Sequence, residues 1–226
     1  MNHPSKDIVG TKSRRLKGKK IILCVTGSVA AVRSAEIARE LMRHGANVYA
    51  VMSENAQKII HPNLLEWATG NPVVTELTGK IEHVAFVGDI HQKADLVLIA
   101  PSTANTISKI SKGIDDTSVT TVASTALGSK TPIVIVPAMH ESMYMQHAIR
   151  ANIEELKQQN VEFIEPIMKE RKAKLPETAS IIETLLQIMT VQQDFHGMNV
   201  LVTSGPTIEF IDSIRIITNR SSGKMG

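Results

Sequence analysis

The sequence predicts an α/β protein in which helices cover both faces of a parallel sheet. The apolar runs IILCV, LVLIA and PIVIV are continuous rather than alternating, which is typical of strands that are buried on both sides. Stretches with helical spacing of apolar residues separate these runs, so strands and helices alternate along the chain. This alternation is the pattern of a doubly wound architecture.

The first half of the chain supplies two strand–helix units. The stretch KKIILCVTG predicts a buried strand, and the helical pattern SVAAVRSAEIARELMRHG follows it. Ser28 is a suitable N-cap for this helix and Gly45 a suitable stop. The second strand is predicted in ANVYAVM, and a helix is expected over residues 54–69.

The second half continues the same alternation. Strands are predicted in ADLVLIAP and TPIVIVPA, and helices follow them over about residues 104–113 and 142–159. A fifth strand is predicted in VEFIEP, and PETASIIETLLQIMTVQQ predicts the last helix. The expected order is therefore five strands, each followed by a helix.

The ends of the chain differ from this pattern. Seven lysines and arginines crowd the first 20 residues, which predicts a solvated basic tail over residues 1–18. After the last helix a fresh strand is predicted over residues 199–203, and the sequence ends in the loop-like NRSSGKMG. We therefore expect one ligand-binding domain over residues 19–190, and a linker with the truncated start of a second domain over residues 191–226.

Composition excludes several classes of protein. Aromatic residues make up 3% of the 226, which leaves few platforms for stacking bases, so nucleic-acid binding is not expected. No apolar run approaches the ~18 residues of a membrane helix, and no membrane partner is expected. The single cysteine, Cys24, rules out an internal disulfide and a cysteine-rich zinc site. A cytoplasmic setting fits this usage, and no metal site is expected.

Small and hydroxyl-bearing residues follow the predicted strands. The strand ends contain TGSVAA, VMSENA, APSTANT and PAMHESMY, and three of the four place hydroxyls directly ahead of a helix. In open parallel sheets ligands bind at this edge, and helix starts with nearby hydroxyls suit a phosphate group. The spacing matches neither GxGxxG nor GxxxxGK[ST]. We therefore expect a phosphate-bearing cofactor, although each hydroxyl taken alone is also an ordinary helix cap.

Two histidines lie next to predicted strands. His83, in GKIEHVAF, precedes a strand, and His140 follows one. Imidazole is the side chain that exchanges protons near neutral pH, so either residue is a candidate acid or base. Met139 and Met143 flank His140, and packing is the simpler interpretation of both.

Several of these blocks together resemble one family. GSVAA, HV, ADLVLIAPSTANTISKISKGIDD and PAMHESMY are similar to the flavin-dependent cysteine decarboxylases, over about residues 19–190. The tail NVLVTSGPTIEFIDSIRIITNRSSGKMG is similar to the opening of phosphopantothenate–cysteine ligase, which is fused to such a decarboxylase in prokaryotic coenzyme A synthesis.

The resemblance implies a Rossmann-like, flavodoxin-type fold that binds FMN and assembles as trimers or multiples of trimers, such as a dodecamer. The implied substrate is 4'-phosphopantothenoyl-L-cysteine, and the implied products are 4'-phosphopantetheine and carbon dioxide. The flavin is needed because the protein has no electron sink of its own for decarboxylation. A ligase step with CTP and Mg²⁺ is expected only where the ligase part is complete.

The resemblance also assigns residues. The catalytic base is His83, with His91 as the competing candidate, and His140 stands where many relatives have an asparagine that holds the substrate carboxylate. Relatives carry a cysteine in a later flap, whereas the corresponding IEPIMKERKAKLPE has none. The residues implied to bind FMN are Gly27, Ser28, Val29, Ser53, Ser102, Thr103, Ala104 and Asn105. Those implied to bind substrate are Ala138, Met139, His140, Lys172 and Lys174.

Two alternatives remain open at this point. One is a different flavoenzyme of the same group, either a peptidyl-cysteine decarboxylase or a flavin prenyltransferase. The other is a flavin-binding regulatory subunit without catalysis, which the absent flap cysteine favours. Carbon dioxide release by the purified protein separates an enzyme from a regulatory subunit.

Overall fold

The computed structural model describes residues 3–190 and 198–222. The chain divides between Thr190 and Val191 into two compact units, which are described separately.

The first unit is built on a five-stranded parallel sheet. The spatial order of its strands is β2-β1-β3-β4-β6, with neighbouring strands in parallel register. The chain therefore winds outward from β1 in both directions, and the predicted flavodoxin-type α/β fold is confirmed. The strands of this sheet are β1 Lys20–Val25, β2 Asn47–Met52, β3 Leu96–Ser102, β4 Ile133–Pro137 and, after the short strand β5 Met139–His140, β6 Glu162–Phe163.

Helices cover both faces of the sheet. Alternate residues of β1 contribute to opposite apolar clusters: Leu23 packs into one and Ile22 into the other. A buried strand with both faces covered has this period of two. The helices are α1 Ser34–Arg43, α2 Glu54–Gln57, α3 Pro62–Thr69, α4 Glu82–Val87, α5 Ala104–Ser111, α6 Ser118–Gly128, α7 Glu141–Tyr144, α8 His147–Gln158 and α9 Thr178–Thr190, with 3₁₀ helices at Pro4–Ile8 and Val29–Arg33.

Several helices differ from the sequence prediction. The single helix expected over residues 54–69 is two, because His61 caps a new helix that begins at Pro62. The helix expected over residues 142–159 is likewise broken into α7 and α8. Ser28 caps the 3₁₀ helix Val29–Arg33 rather than α1. Helix α6 was not predicted, because SVTTVASTALG is rich in β-branched residues and has no charged face.

The basic N-terminal segment is packed against the first unit. Leu16 is completely buried, and its backbone N–H donates to the carbonyl of His44 at 2.9 Å. The Lys6 ammonium donates to the Asn71 side chain at 2.9 Å, and the Ser5 hydroxyl donates to the carbonyl of Trp67. The prediction of a free tail is therefore wrong for residues 3–18, although the side chains of Lys12, Arg14, Arg15 and Lys17 are exposed to solvent as expected.

A second, antiparallel sheet adjoins the first. It has the order β5-β8-β7, where β7 is Ile167–Lys169 and β8 is Lys172–Lys174. Glu170 and Arg171 form the tight turn between β7 and β8, with φ values of 54° and 56°. The sequence did not predict this sheet, because its strands have only two or three residues each.

The second unit contains one hairpin in its described part, β9 Ile208–Phe210 paired with β10 Ile216–Thr218. Residues 199–203 are not a strand, so the strand predicted there is wrong. The expected linker lies mostly at residues 191–197, outside the described residues. Across the described ranges, no helix has the length and apolar character that crossing a bilayer requires.

Candidate functional site

A cavity of about 400 Å³ lies at the carboxyl edge of the main sheet. The segments that follow β1, β2, β3 and β4 all contribute to its walls. Six of the eight residues that the sequence proposed for a phosphate-bearing cofactor lie in these walls: Gly27, Ser28, Ser53, Thr103, Ala104 and Asn105. Four separated segments of sequence are thus brought to one place.

Hydroxyl groups cap the helix starts around this cavity. Ser53 accepts a hydrogen bond from the backbone of Ala56 at 3.3 Å, and Thr103 accepts one from Thr106 at 3.3 Å. Thr117, at the start of α6, accepts one from Thr120 at 3.1 Å. The hydroxyls are therefore ordinary caps, as well as parts of a cavity wall. Converging helix starts direct the positive ends of their dipoles toward the cavity, which favours an anionic ligand.

Close backbone packing shapes the cavity at Gly27. A Cβ atom at this position would lie 2.5 Å from the Cβ of Asn55 and 3.2 Å from its carbonyl carbon. Only glycine allows the β1–helix turn to approach the start of α2 this closely. Asn55 also lines the cavity, but no motif in the sequence identified it.

Ser102 differs from the other expected cofactor residues. It is fully buried, does not line the cavity, and its hydroxyl has no hydrogen-bond partner in the described part of the chain. Its carbonyl accepts from the backbone of Ala138 at 2.9 Å, which fixes β3 against the segment after β4. Ser102 therefore positions the cavity wall through its backbone.

Threonines of the unpredicted helix α6 complete the wall. Thr117 and Thr120 both line the cavity and form a reciprocal capping box. These two residues were not predicted, because the helix itself was not predicted. A signal was present, however, because TSVT places a threonine three residues after another, as in a capping box.

A second cavity of about 410 Å³ adjoins the first. The two share Ser28, Ala138 and Met139 as common wall residues. The second cavity is also lined by Val29, His140, Lys172 and Lys174, all of which the sequence proposed. Val29 was expected at the cofactor phosphate but lies on the second cavity instead.

Arg33 lines the second cavity and was not predicted. Its guanidinium donates to the carbonyls of Leu175 at 3.2 Å and Pro176 at 2.8 Å, and to the hydroxyl of Thr178 at 3.0 Å. These bonds hold the segment after β8 against the 3₁₀ helix that contains Arg33. An arginine within a helical pattern carries no sequence signal for such a role.

His83 lies apart from both cavities. It belongs to α4, which packs against α6, and it is not among the described residues that line either cavity. Its Nδ1 atom is buried and has no hydrogen-bond partner in the described ranges. A buried imidazole nitrogen without a partner is unusual, because such atoms are normally satisfied. His91, the competing candidate, is exposed in the segment after α4.

Cys24 is isolated from the site. It is completely buried in β1, and this burial raises the pKa of its thiol well above the usual range. The thiol is therefore a packing group. Among the described residues, no set of three or more histidine, cysteine, aspartate or glutamate side chains is arranged to hold a metal ion.

Comparison with family models identifies the class of protein. Residues 9–190 match the flavoprotein family, and residues 195–226 match the C-terminal domain of the DNA/pantothenate metabolism flavoproteins. The first match covers most of the chain. The chain therefore belongs to the flavoprotein family, and the resemblance inferred from its motifs is confirmed.

Two relatives are archaeal proteins named coenzyme A biosynthesis bifunctional protein CoaBC. The protein from Thermococcus kodakarensis is 58% identical over 226 residues, which is 100% of this chain and 56% of the relative. The protein from Methanocaldococcus jannaschii is 43% identical over 99% of this chain and 54% of the relative. The chain thus spans about half the length of the curated relatives it matches.

Solved structures with this fold include two cysteine decarboxylases. The FMN-dependent cysteine decarboxylase SpaF superimposes with a TM-score of 0.66 and 27% identity, over 78% of this chain and 99% of SpaF. The peptidyl-cysteine decarboxylase EpiD gives a TM-score of 0.65 and 25% identity, over 74% of this chain and 98% of EpiD.

Proposed function

We propose that this protein catalyses the FMN-dependent decarboxylation of 4'-phosphopantothenoyl-L-cysteine to 4'-phosphopantetheine and carbon dioxide. The observation that carries the proposal is the pair of joined cavities, one surrounded by helix starts and the other lined by cationic side chains. The 58% identity with a bifunctional protein of coenzyme A biosynthesis supports the choice of substrate over a peptidyl cysteine.

The first cavity fits a flavin mononucleotide. Its volume lies within the ordinary range for cofactor sites, and the capped helix starts at Ser28, Ser53 and Thr103 suit the phosphate. Gly27 lets the turn after β1 pack against Asn55 in the cavity wall, and Ala104 and Asn105 offer an apolar and a polar contact to the rest of the cofactor. When bound, the flavin supplies the reversible electron acceptor that the chain itself lacks.

The second cavity fits the substrate. The cysteinyl end must reach the flavin, so it enters at the wall that Ala138 and Met139 share between the cavities. His140 follows this wall directly and donates an N–H group to the substrate carboxylate. Lys172 and Lys174 cover the remainder of the substrate from β8.

His83 is the proposed base. Its unpartnered Nδ1 atom supports this role, because a structural histidine would have its buried nitrogen satisfied. The helix that carries it packs on α6, whose first turn lines the flavin cavity. Because His83 lines neither cavity within one chain, this role requires a second copy in the proposed oligomer to present it to the substrate. A base of this kind typically contributes ~10²–10⁴ in rate.

A homo-oligomer, in trimers or multiples of trimers, is the proposed assembly. Two apolar side chains in the cavity walls support it: Val29 is 78% exposed and Met143 is 47% exposed. Exposed apolar side chains with polar neighbours are a feature of interaction surfaces. A second copy would cover them and close the cavities.

Two measurements test the proposed function. The purified protein should be yellow, and mass spectrometry of the released cofactor should identify FMN. The same sample should release carbon dioxide from 4'-phosphopantothenoyl-L-cysteine. A colourless protein that takes up no FMN would exclude the proposal, and a yellow protein without carbon dioxide release would favour a non-catalytic flavin-binding subunit.

A further inference from the structure

Three basic side chains lie in a row on one face of the small antiparallel sheet. Lys172 of β8 is directly opposite His140 of β5 on one side and Lys169 of β7 on the other. Residues directly opposite in antiparallel strands project from the same face. We refer to His140, Lys172 and Lys169 as the basic row.

The two lysines of this row have no directly bonded counter-charge among the described residues, although the carboxylate of Glu170 attracts Lys172 at longer range. In the described part of the chain, neither the Lys172 nor the Lys169 ammonium makes a hydrogen bond or an ion pair. The neighbouring cations differ, because Lys174 pairs with Glu170 and Arg33 with Glu177. Like charges directly opposite each other destabilise a sheet, so the Lys169–Lys172 pair is unfavourable unless an anion binds to it.

The turn between the two lysines adds backbone strain to the repulsion between their charges. Glu170 and Arg171 both have positive φ, a conformation that two-residue hairpins normally obtain from glycine or asparagine. Neither residue has the short polar side chain that stabilises this conformation locally. The chain therefore accepts backbone strain to hold Lys169 opposite Lys172. Strain of this kind is concentrated at functional sites.

The row extends from the wall that the two cavities share, where the reacting end of the substrate is proposed to bind, to the far edge of the small sheet. His140 is next to Met139, on the wall that both cavities share, and Lys172 lines the second cavity only. Since neighbouring strands are ~4.8 Å apart, Lys169 lies about 10 Å across the sheet from β5. A substrate whose carboxylate lies at His140 carries its other charged group toward the lysines.

We propose that Lys172 and Lys169 form a subsite for the 4'-phosphoryl group of the substrate. A phosphoryl dianion offers three acceptor oxygens and two charges, which match two adjacent ammonium groups. The subsite makes the protein select phosphorylated over unphosphorylated substrates. This inference rests on the proposed function and adds the group recognised by Lys172, in the wall of the second cavity, and by Lys169, outside that wall.

Ligand binding to the FMN-loaded protein tests the subsite without turnover. We compare 4'-phosphopantetheine with pantetheine, which lacks only the phosphate, by isothermal titration calorimetry. The unmodified protein should bind the phosphorylated ligand more tightly. Lys172→Ala should reduce this preference about 10- to 100-fold, as expected for loss of a charged hydrogen bond, and Lys169→Ala/Lys172→Ala should remove it. Pantetheine affinity should fall much less than that of the phosphorylated ligand.

Lys112→Ala is the matched control, because it removes the same charge from the end of α5, where Lys112 pairs with Glu155. Its ligand preference should equal that of the unmodified protein. An unchanged preference in the double variant would overturn the inference, as would an equal loss of affinity for both ligands.

Pantothenoylserine, which has the carboxylate but neither thiol nor phosphate, tests whether the two lysines bind the substrate carboxylate instead of the phosphate. If Lys172→Ala selectively weakens its binding, the subsite takes a carboxylate and the phosphoryl assignment is wrong.

Failure of the proposed function is distinguishable from failure of this inference. The former appears in the unmodified protein as absence of FMN or of carbon dioxide release. The latter appears as a phosphate preference that is insensitive to Lys169 and Lys172 in a protein that does release carbon dioxide.

Discussion

The guanidinium of Arg33 donates a 2.8 Å hydrogen bond to the carbonyl of Pro176, across 143 residues of sequence. A second bond reaches the carbonyl of Leu175, and a third reaches the hydroxyl of Thr178. Arg33 therefore fixes the position at which the chain leaves β8, and with it the base of the hairpin that carries Lys172. The planar, multidentate guanidinium suits this role, which a lysine would not fill.

Arg33→Ala should loosen this hairpin. The variant leaves the carbonyls of Leu175 and Pro176 without their donor, and bonds to a charged donor typically contribute ~1.5–3 kcal/mol. Hydrogen exchange should therefore accelerate for the amides of residues 167–178. Glu177→Gln is the internal control, because its side chain is 82% exposed and such ion pairs contribute little. Equal exchange in all three proteins would show that Arg33 does not hold the hairpin.

Gly27→Ala should disrupt the flavin cavity. The added Cβ would lie 2.5 Å from the Cβ of Asn55, so the turn after β1 and the start of α2 must separate. Overpacking of this kind costs ~1–3 kcal/mol, and it should appear as lower thermal stability and a lower FMN content after purification. Gly128→Ala, at the end of α6, is the comparison, because a Cβ there has no atom within 4 Å. That variant should retain FMN and lose no stability; normal stability and FMN content in Gly27→Ala would contradict the expected clash.

The buried thiol of Cys24 should make stability depend on alkaline pH. Burial raises the pKa of Cys24 in the folded state above its unfolded value of ~8.5, so the thiol ionises more readily in the unfolded chain. Its contribution is therefore complete below about pH 8.5 and is lost as pH rises, by ~1.4 kcal/mol per unit. Cys24→Ala lacks this pH-dependent contribution to the free energy of unfolding, although its smaller side chain lowers stability by a pH-independent amount.

Denaturant unfolding between pH 7 and 10 measures the difference in free energy of unfolding between the unmodified protein and Cys24→Ala. The free energy of unfolding of the unmodified protein should approach or fall below that of Cys24→Ala as pH rises above 8.5, because other titrating groups are common to both proteins. Parallel pH profiles for the two would mean that the thiol is accessible to solvent in the folded state.

The sequence predicted the main sheet well because its strands are strongly patterned. Runs such as LVLIA are clearly strands once helical stretches flank them. Because ligands bind at the carboxyl ends of parallel strands, Ser28, Ser53 and Thr103 could be expected at one cavity, and they line it. Features that depend on tertiary contacts were missed. Leu16 is buried because the basic segment packs near His44. The antiparallel sheet forms because the segment with His140 pairs with the segment with Lys172, 32 residues later in the sequence. Neither contact leaves a local pattern.

The assignment of the base is tested by two matched substitutions. His83→Gln should lower kcat by ~10²–10⁴ while FMN content stays unchanged, because His83 lies outside the described walls of the flavin cavity. His91→Gln changes an exposed histidine eight residues later and should leave kcat near that of the unmodified protein.

Single-turnover flavin reduction by substrate, followed by absorbance, separates this chemistry from binding. His83→Gln should slow reduction at saturating substrate, whereas a role in packing alone would lower thermal stability and leave the reduction rate nearly unchanged. The reverse result, with slow reduction in His91→Gln and a normal rate in His83→Gln, would transfer the role of base to His91. That outcome would also require an ordinary explanation for the unpartnered Nδ1 of His83, such as a bound water molecule.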